Sequence, residues 1–172
     1  MRKVRLFIAS SLDGYIARLD GSVDWLFHDS DYGFGRFSSS IDTMIMGRKT
    51  YEKALELGDD SFKKKDWVVF ARKAPEYTEG RIFFSSDPVG TVRRLRKKKG
   101  GGIWLVGGSE IIQVLLQAGL IDEMIIFIHP ILLGGGIPLF RRTGKEIRLG
   151  MPEVRRYRSG LVRLGYRIRD GG

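Results

Sequence analysis

The chain has 172 residues, 42% hydrophobic and 29% charged, with no cysteine and only two histidines, His28 and His129. That excludes a disulfide framework and any thiolate-held zinc or iron–sulfur centre, and it leaves no histidine-rich metal site, so no metal is expected. Thirty Lys and Arg against 20 Asp and Glu leave a net charge of +10, which favours anionic partners in general.

From the N-terminus, residues 3–10 (KVRLFIAS) read as a first, central strand. Arg5 interrupts the apolar run and Asp13 soon follows, so the start is not a signal peptide. No window approaches the roughly 20 apolar residues that span a bilayer. The expectation is one cytoplasmic domain over residues 1–172 with no membrane partner. SSLDGYIARLDGSVDW reads as a long mobile loop, and residues 30–39 as a short helix with Tyr32, Phe34 and Phe37 as aromatic bulk. IDTMIMG is a buried strand and RKTYEKALEL a helix; WVVFA is a strand, followed by a loop with Pro75, and RIFFS another strand. Ser86 or Asp87 can cap the next helix, whose first turn tolerates Pro88 and which ends at Gly100–Gly102. IWLVG is a strand, SEIIQVLLQAG a helix stopped at Gly119, and EMIIFIHPILL a strand interrupted at Pro130. EVRRYRSGLVRLGYRIR alternates around Ser159-Gly160 as a terminal hairpin. Strands apolar on both faces and separated by helices imply an α/β fold, a mostly parallel sheet covered on both sides, with an antiparallel C-terminal hairpin.

Two strand-to-helix junctions share a design. In IMGRKTYE the strand ends at Met46, and in WLVGGSEI at Val106, each just before a helix. A helix N-terminus offers unpaired N–H groups and partial positive charge to an anion. Gly47, Gly107 and Gly108 leave the backbone open, Arg48 adds a planar fork of donors, and Thr50 or Ser109 adds a hydroxyl. Either junction alone is also explained by a tight turn with Ser109 as a cap. Two in one parallel sheet suit the linked phosphates of a dinucleotide. Neither is a P-loop or a Gly-x-Gly-x-x-Gly fingerprint. The basic runs Arg93–Lys99 and Phe62–Lys65 read as solvated faces, and the absence of aromatics within Arg93–Lys99 argues against nucleic acid.

The order and spacing of ASSLDGYIA, GSVDW, IDTMIMGRKTYE, VVFARK, IWLVGGSEIIQVLLQAGLIDE and PILLGGGIPLF resemble the dihydrofolate reductase superfamily. Within it, the chain is most similar to the reductase domain of bacterial riboflavin biosynthesis in stand-alone form. The resemblance runs from residue 4 to about 168. It implies a dihydrofolate reductase-like fold and NADPH as cofactor. Ala9, Leu12, Asp13, Gly14, Tyr15 and Ile16 would line the nicotinamide end, and Gly47, Arg48 and Thr50 would hold phosphate. Ala71 and Arg72, with Lys73 assisting, match the seat of the 2′-phosphate. Val106, Gly107, Gly108, Ser109 and Glu110 would hold the pyrophosphate and nicotinamide ribose. Ile128 stands where dihydrofolate reductases carry a hydrogen-bonding Thr, whereas His129–Gly134 resembles the riboflavin-pathway branch.

Asp24, Asp29 and Asp31 are the candidate catalytic acids, and the sequence does not choose among them; each also reads as an exposed loop carboxylate. Trp25 and Phe34 are the candidate substrate-binding aromatics, although Trp25 reads equally as packing. Asp13 also reads as the first residue of an Asp-Gly turn, His28 as a surface residue and His129 as strand-end packing. Gly134–Gly136 either brings backbone close to a ligand or forms a bulge. His-x-Glu and Pro-Cys-x-x-Cys, the marks of the zinc deaminase often fused to this reductase, are absent. The expected activity is hydride transfer to a small molecule, of the 5-amino-6-(5-phosphoribosylamino)uracil reductase type. The alternatives are a dihydrofolate or other pterin reductase, and a non-catalytic nucleotide- or nucleic-acid-binding protein. Related reductase domains form homodimers, which makes the terminal hairpin a candidate interface.

Overall fold

A computed structural model of the protein describes residues 1–58, 64–73 and 77–168; the expectations placed on Phe62, Lys63 and Pro75 lie outside them. The elements are β1 (Val4–Ser11), β2 (Tyr15–Ala17), α1 (Phe34–Ser39), β3 (Ile41–Gly47), α2 (Arg48–Leu57), β4 (Asp66–Phe70), β5 (Tyr77–Glu79) and β6 (Ile82–Ser85). They continue with α3 (Pro88–Lys97), β7 (Gly102–Gly107), α4 (Ser109–Gln117), β8 (Glu123–His129), β9 (Ile137–Pro138), β10 (Leu149–Arg156) and β11 (Val162–Ile168).

Among the described residues nine strands form one sheet in the order β10-β11-β8-β1-β7-β3-β4-β6-β5, parallel from β8 to β6 and antiparallel at both edges. Alternation along each central strand feeds two cores. Leu6, Ile45, Val68 and Leu105 point to the face covered by α3 (Val92) and α4 (Ile112, Leu115). Met44, Met46, Val69 and Trp104 point to the other, covered by α1 (Phe37) and α2 (Tyr51). This is why the strands read as continuous apolar runs: both pleat faces are buried.

The connections position the site. From β3 the chain moves through α2 to β4, away from β7; from β7 it moves through α4 to β8, the opposite way. β3 and β7 are nonetheless neighbours, with Met46 opposite Gly107. The direction of winding therefore reverses between them, and the N-termini of α2 and α4 flank the crevice at their C-terminal ends. Ligands of open α/β sheets collect at such switch points.

Local signals set the element ends. Asp87 accepts from the Gly90 N–H at 2.8 Å and caps α3, with Pro88 in its first turn. Pro130 supplies no N–H and ends β8 at His129, so the strand expected through Leu133 stops earlier. The hairpin forms as expected: the Tyr157 N–H donates to the Leu161 carbonyl, and β11 extends the main sheet against β8. Part of the basic run is not solvated. Arg96 pairs with Asp122 at 2.8 Å, and the other oxygen of Asp122 accepts from the Val4 N–H at 2.7 Å, tying α3 to β1.

The expected mobile loop after β1 requires correction, because it contains β2, which pairs with β9 in a second, two-stranded sheet. Gly136 explains the close approach. Its φ is +151°, and a Cβ there would collide with the Ala17 carbonyl oxygen. The backbone approached by this glycine is therefore the chain's own.

Candidate active site

The two junctions meet. A Cβ on Gly108 would lie 3.4 Å from Thr50 Oγ1, and one on Gly47 would lie 3.4 Å from Ile111 Cγ1 and 3.9 Å from the Gly108 nitrogen. A single Cβ would fit there in ordinary contact, and larger side chains would extend into the space between the two junctions. The Gly107–Gly108 peptide is cis. Neither Gly47 nor Gly108, the N-cap residues of α2 and α4, supplies a side-chain cap, in contrast to Asp87 on α3. The first-turn N–H groups are thus left for an anion.

Basic side chains rim this crevice. Arg48 pairs with Glu52 one turn along α2 at 2.9 Å, both exposed. Gly47 is opposite Phe70, so Arg48 and the turn at Ala71 and Arg72 are adjacent. Arg72 donates to Glu110 in the first turn of α4 at 2.7 Å, and Arg141 reaches the same oxygen at 3.1 Å. Burial raises the Glu110 pKa, but the arginine hydrogen bonds and charges outweigh it and hold the carboxyl below its usual range. The Ser109 hydroxyl is committed elsewhere, donating to the Pro138 carbonyl and so holding β9 against α4. Val106, just before the crevice, is half-buried against the aromatic core.

At the end of β1, Ala9 is half-buried opposite Phe127, and Ile16 packs on the main core. Asp13 clamps two loops. Its carboxylate accepts from Ser11 Oγ at 2.6 Å and from the N–H groups of Leu133 at 3.1 Å and Gly134 at 2.8 Å. The Ser11 hydrogen bond lowers its pKa; burial opposes it, and the Leu133 and Gly134 N–H groups add smaller lowering effects. Gly14, in the same turn, accepts from the Leu139 N–H, a further tie. Replacing Asp13 with Ala should raise amide exchange at Leu133 and Gly134 by roughly tenfold, with Asp13→Asn intermediate, because charge-assisted acceptors are lost. Unchanged exchange would remove the clamp.

A second group of residues lies over the end of β8. Trp25 is buried against His129, ring centroids 5.1 Å apart, and its indole N–H has no acceptor among the described residues. His129 accepts at Nε2 from the Phe27 N–H at 3.2 Å, and Nδ1 lies 3.2 Å from the Phe127 carbonyl. One donor and one acceptor fit a neutral ring protonated at Nδ1. Burial lowers its pKa from the ordinary 6.5, against smaller opposing effects from Phe127 and Asp29. A depressed folded pKa means that the unfolded chain takes up the proton first. Stability is therefore lost as pH falls below about 6.5 and through the folded pKa. The urea midpoint should drop more between pH 7.5 and 5.5 in the wild type than in His129→Gln; equal drops would exclude His129 as the cause.

The three candidate acids separate. Asp24 is exposed and forked with Arg18 at 2.7 and 3.0 Å. Asp31 accepts from the Gly33 and Gly35 N–H groups at the start of α1, a turn role. Asp29 accepts from the Tyr32 hydroxyl at 2.5 Å, and that hydroxyl is 2.9 Å from Ser159 Oγ on the hairpin turn. Leu26, Phe27, His28, Asp29 and Ser159 line a recess of about 310 Å³. Phe34 instead joins the aromatic cluster, 5.9 Å from Phe7 and 5.6 Å from Trp104. Arg141 belongs to no recognised motif and Ser159 reads only as a hairpin-turn residue; the fold alone brings them to these positions.

The fold and crevice define a class: an α/β protein with a glycine-lined cleft at the C-terminal ends of its parallel strands. The sequence model of the RibD C-terminal domain matches residues 2–163. The chain is 35% identical over 177 residues to the uncharacterized protein YyaP of Bacillus subtilis, covering 96% of this chain and 94% of YyaP. A solved structure from Shewanella sp. PV-4, provisionally assigned to riboflavin biosynthesis, is 30% identical, covers 98% of this chain and 99% of its own, and superposes with a TM-score of 0.84. A dihydrofolate reductase from Enterococcus faecalis, complexed with NADP(H), shares the fold with a TM-score of 0.71 at 16% identity, covering 98% of this chain and 97% of its own. The chain belongs to the RibD C-terminal domain family.

Proposed function

We propose that the protein is an NADPH-dependent reductase that delivers hydride to a heterocyclic substrate, of the 5-amino-6-(5-phosphoribosylamino)uracil reductase type. The observation that carries this is the crevice between β3 and β7, flanked by two helix N-termini without side-chain caps and lined at both junctions by glycines, Gly47, Gly107 and Gly108. The residues fit a dinucleotide: paired N-termini for linked phosphates, and Arg72 beside them for a further one.

When bound, the nicotinamide supplies the hydride. The chain's part is to bind and orient. Gly47, Thr50, Gly107 and Gly108 give backbone and hydroxyl access to the phosphates, while Glu110 holds Arg72 in place. Asp13 fixes the loop that follows β8 against the β1–β2 turn. On the substrate side, Trp25 packs on His129 beneath the site, and Asp29 with Tyr32 supplies the polar wall from which a proton is passed on. Ile128 is apolar, paired with Ser10 and Val162, and offers no hydrogen bond to a pterin, which favours the pyrimidine substrate. A second copy would pair along the exposed edge of β10, where Val154 is 58% exposed, and a reductase drawing on NADPH would work in the cytoplasm.

The test is NADPH oxidation with the phosphoribosylaminopyrimidine and with dihydrofolate, in the wild type and in three Asp→Asn variants. Turnover should occur with the pyrimidine, fall on the order of 100-fold in Asp29→Asn, and persist in Asp24→Asn and Asp31→Asn. Full turnover in Asp29→Asn would remove that acid from the mechanism.

A further inference from the structure

Arg141 follows β9, far from the junctions in sequence, yet its Nη1 donates to the same Glu110 oxygen that Arg72 Nη2 reaches, at 3.1 and 2.7 Å. The three residues come from the loop after β9, the turn after β4 and the first turn of α4. Their side chains are 43%, 84% and 47% exposed in the order Arg141, Arg72, Glu110. Pairs this exposed add little to stability, so the cluster is not accounted for as a staple. It gathers two guanidinium groups around one carboxylate and leaves a net positive charge at the α4 end of the crevice. Lys73 and Arg142, both exposed, continue the positive rim.

Each guanidinium carries five N–H donors in a planar fork, and the hydrogen bonds to Glu110 use a single nitrogen of each. The remaining donors make no hydrogen bond among the described residues. A phosphate monoester, with three acceptor oxygens and close to two negative charges, suits such a pair better than a lone carboxylate does. Glu110 fixes the spacing, which reduces the ordering that a ligand would otherwise have to impose.

We propose that Arg141 and Arg72, spaced by Glu110, form a two-arginine clamp for the 2′-phosphate of the dinucleotide, with Arg141 a specificity-determining residue. This rests on the cofactor assignment made above. Arg141 thereby discriminates NADPH from NADH, while the pyrophosphate, held at the helix N-termini, is indifferent to it.

The test is equilibrium binding of the full chain to NADPH, NADH, adenosine 2′,5′-bisphosphate and adenosine 5′-monophosphate, in wild type, Arg141→Ala and Arg141→Lys. Arg141→Ala should weaken NADPH and the bisphosphate by about tenfold, leave NADH and the monophosphate unchanged, and keep the wild-type urea midpoint. Arg141→Lys should fall between, keeping charge but losing the fork. Wild-type NADPH affinity in Arg141→Ala, or an equal loss for NADPH and NADH, would overturn the clamp. Failure of the wild type to bind either dinucleotide would instead overturn the cofactor assignment itself.

Discussion

Gly108→Val is expected to weaken dinucleotide binding by about 100-fold, or about 2.7 kcal/mol, while the protein stays folded. The backbone at Gly108 has φ −90°, which valine adopts without strain. Its Cβ would already sit 3.4 Å from Thr50 Oγ1, and the two methyls beyond it would fill the space between α2 and α4. A phosphate would then lose close approach to the first-turn N–H groups, each a charge-assisted bond of about 1.5–3 kcal/mol. Gly107→Val should behave differently. There φ is +144°, a conformation side chains avoid, so that variant should lose stability as well as binding. Wild-type affinity in Gly108→Val, measured by fluorescence titration with circular dichroism as the folding control, would move the cofactor out of this crevice.

Leu105→Ala should cost about 3 kcal/mol of folding stability. Leu105 is fully buried on β7, with Leu6 of β1 and Ile45 of β3 directly beside it in the sheet, both also at 0% exposure. The three side chains form a row under α4, where Ile112 and Leu115 are equally buried. Removing the middle one leaves a cavity that the sheet cannot close, because each strand is hydrogen-bonded on both sides. Leu132→Ala, at 69% exposure, should change stability by less than about 0.5 kcal/mol. Urea unfolding separates the two. A Leu105→Ala loss no greater than that of Leu132→Ala would contradict the placement of the core.

What could be read from the sequence was local or periodic. The glycines after IDTMIM and IWLV, the Asp87-Pro88 start of α3 and the Ser159-Gly160 turn all carry their signal within a few residues. Strand order does not. That β7 inserts between β1 and β3, bringing Gly108 against Thr50, depends on connections winding in opposite directions. The β2–β9 pair escaped because strands of three and two residues show no period. Asp13 reads locally as a turn residue, and its acceptance from Leu133 and Gly134 appears only once chain segments 120 and 121 residues apart are joined. The same holds for Asp24, Asp29 and Asp31. Arg18, Tyr32 with Ser159, and the start of α1 sort them into an ion pair, a recess wall and a turn.

The most direct measurement is a calorimetric titration of the wild-type chain with NADPH and with NADH. Saturable one-to-one binding of NADPH, with NADH weaker by at least about tenfold, is the result that the proposed phosphate seat at Arg72 and Arg141 predicts. No heat of binding with either nucleotide, or equal affinity for both, would contradict it.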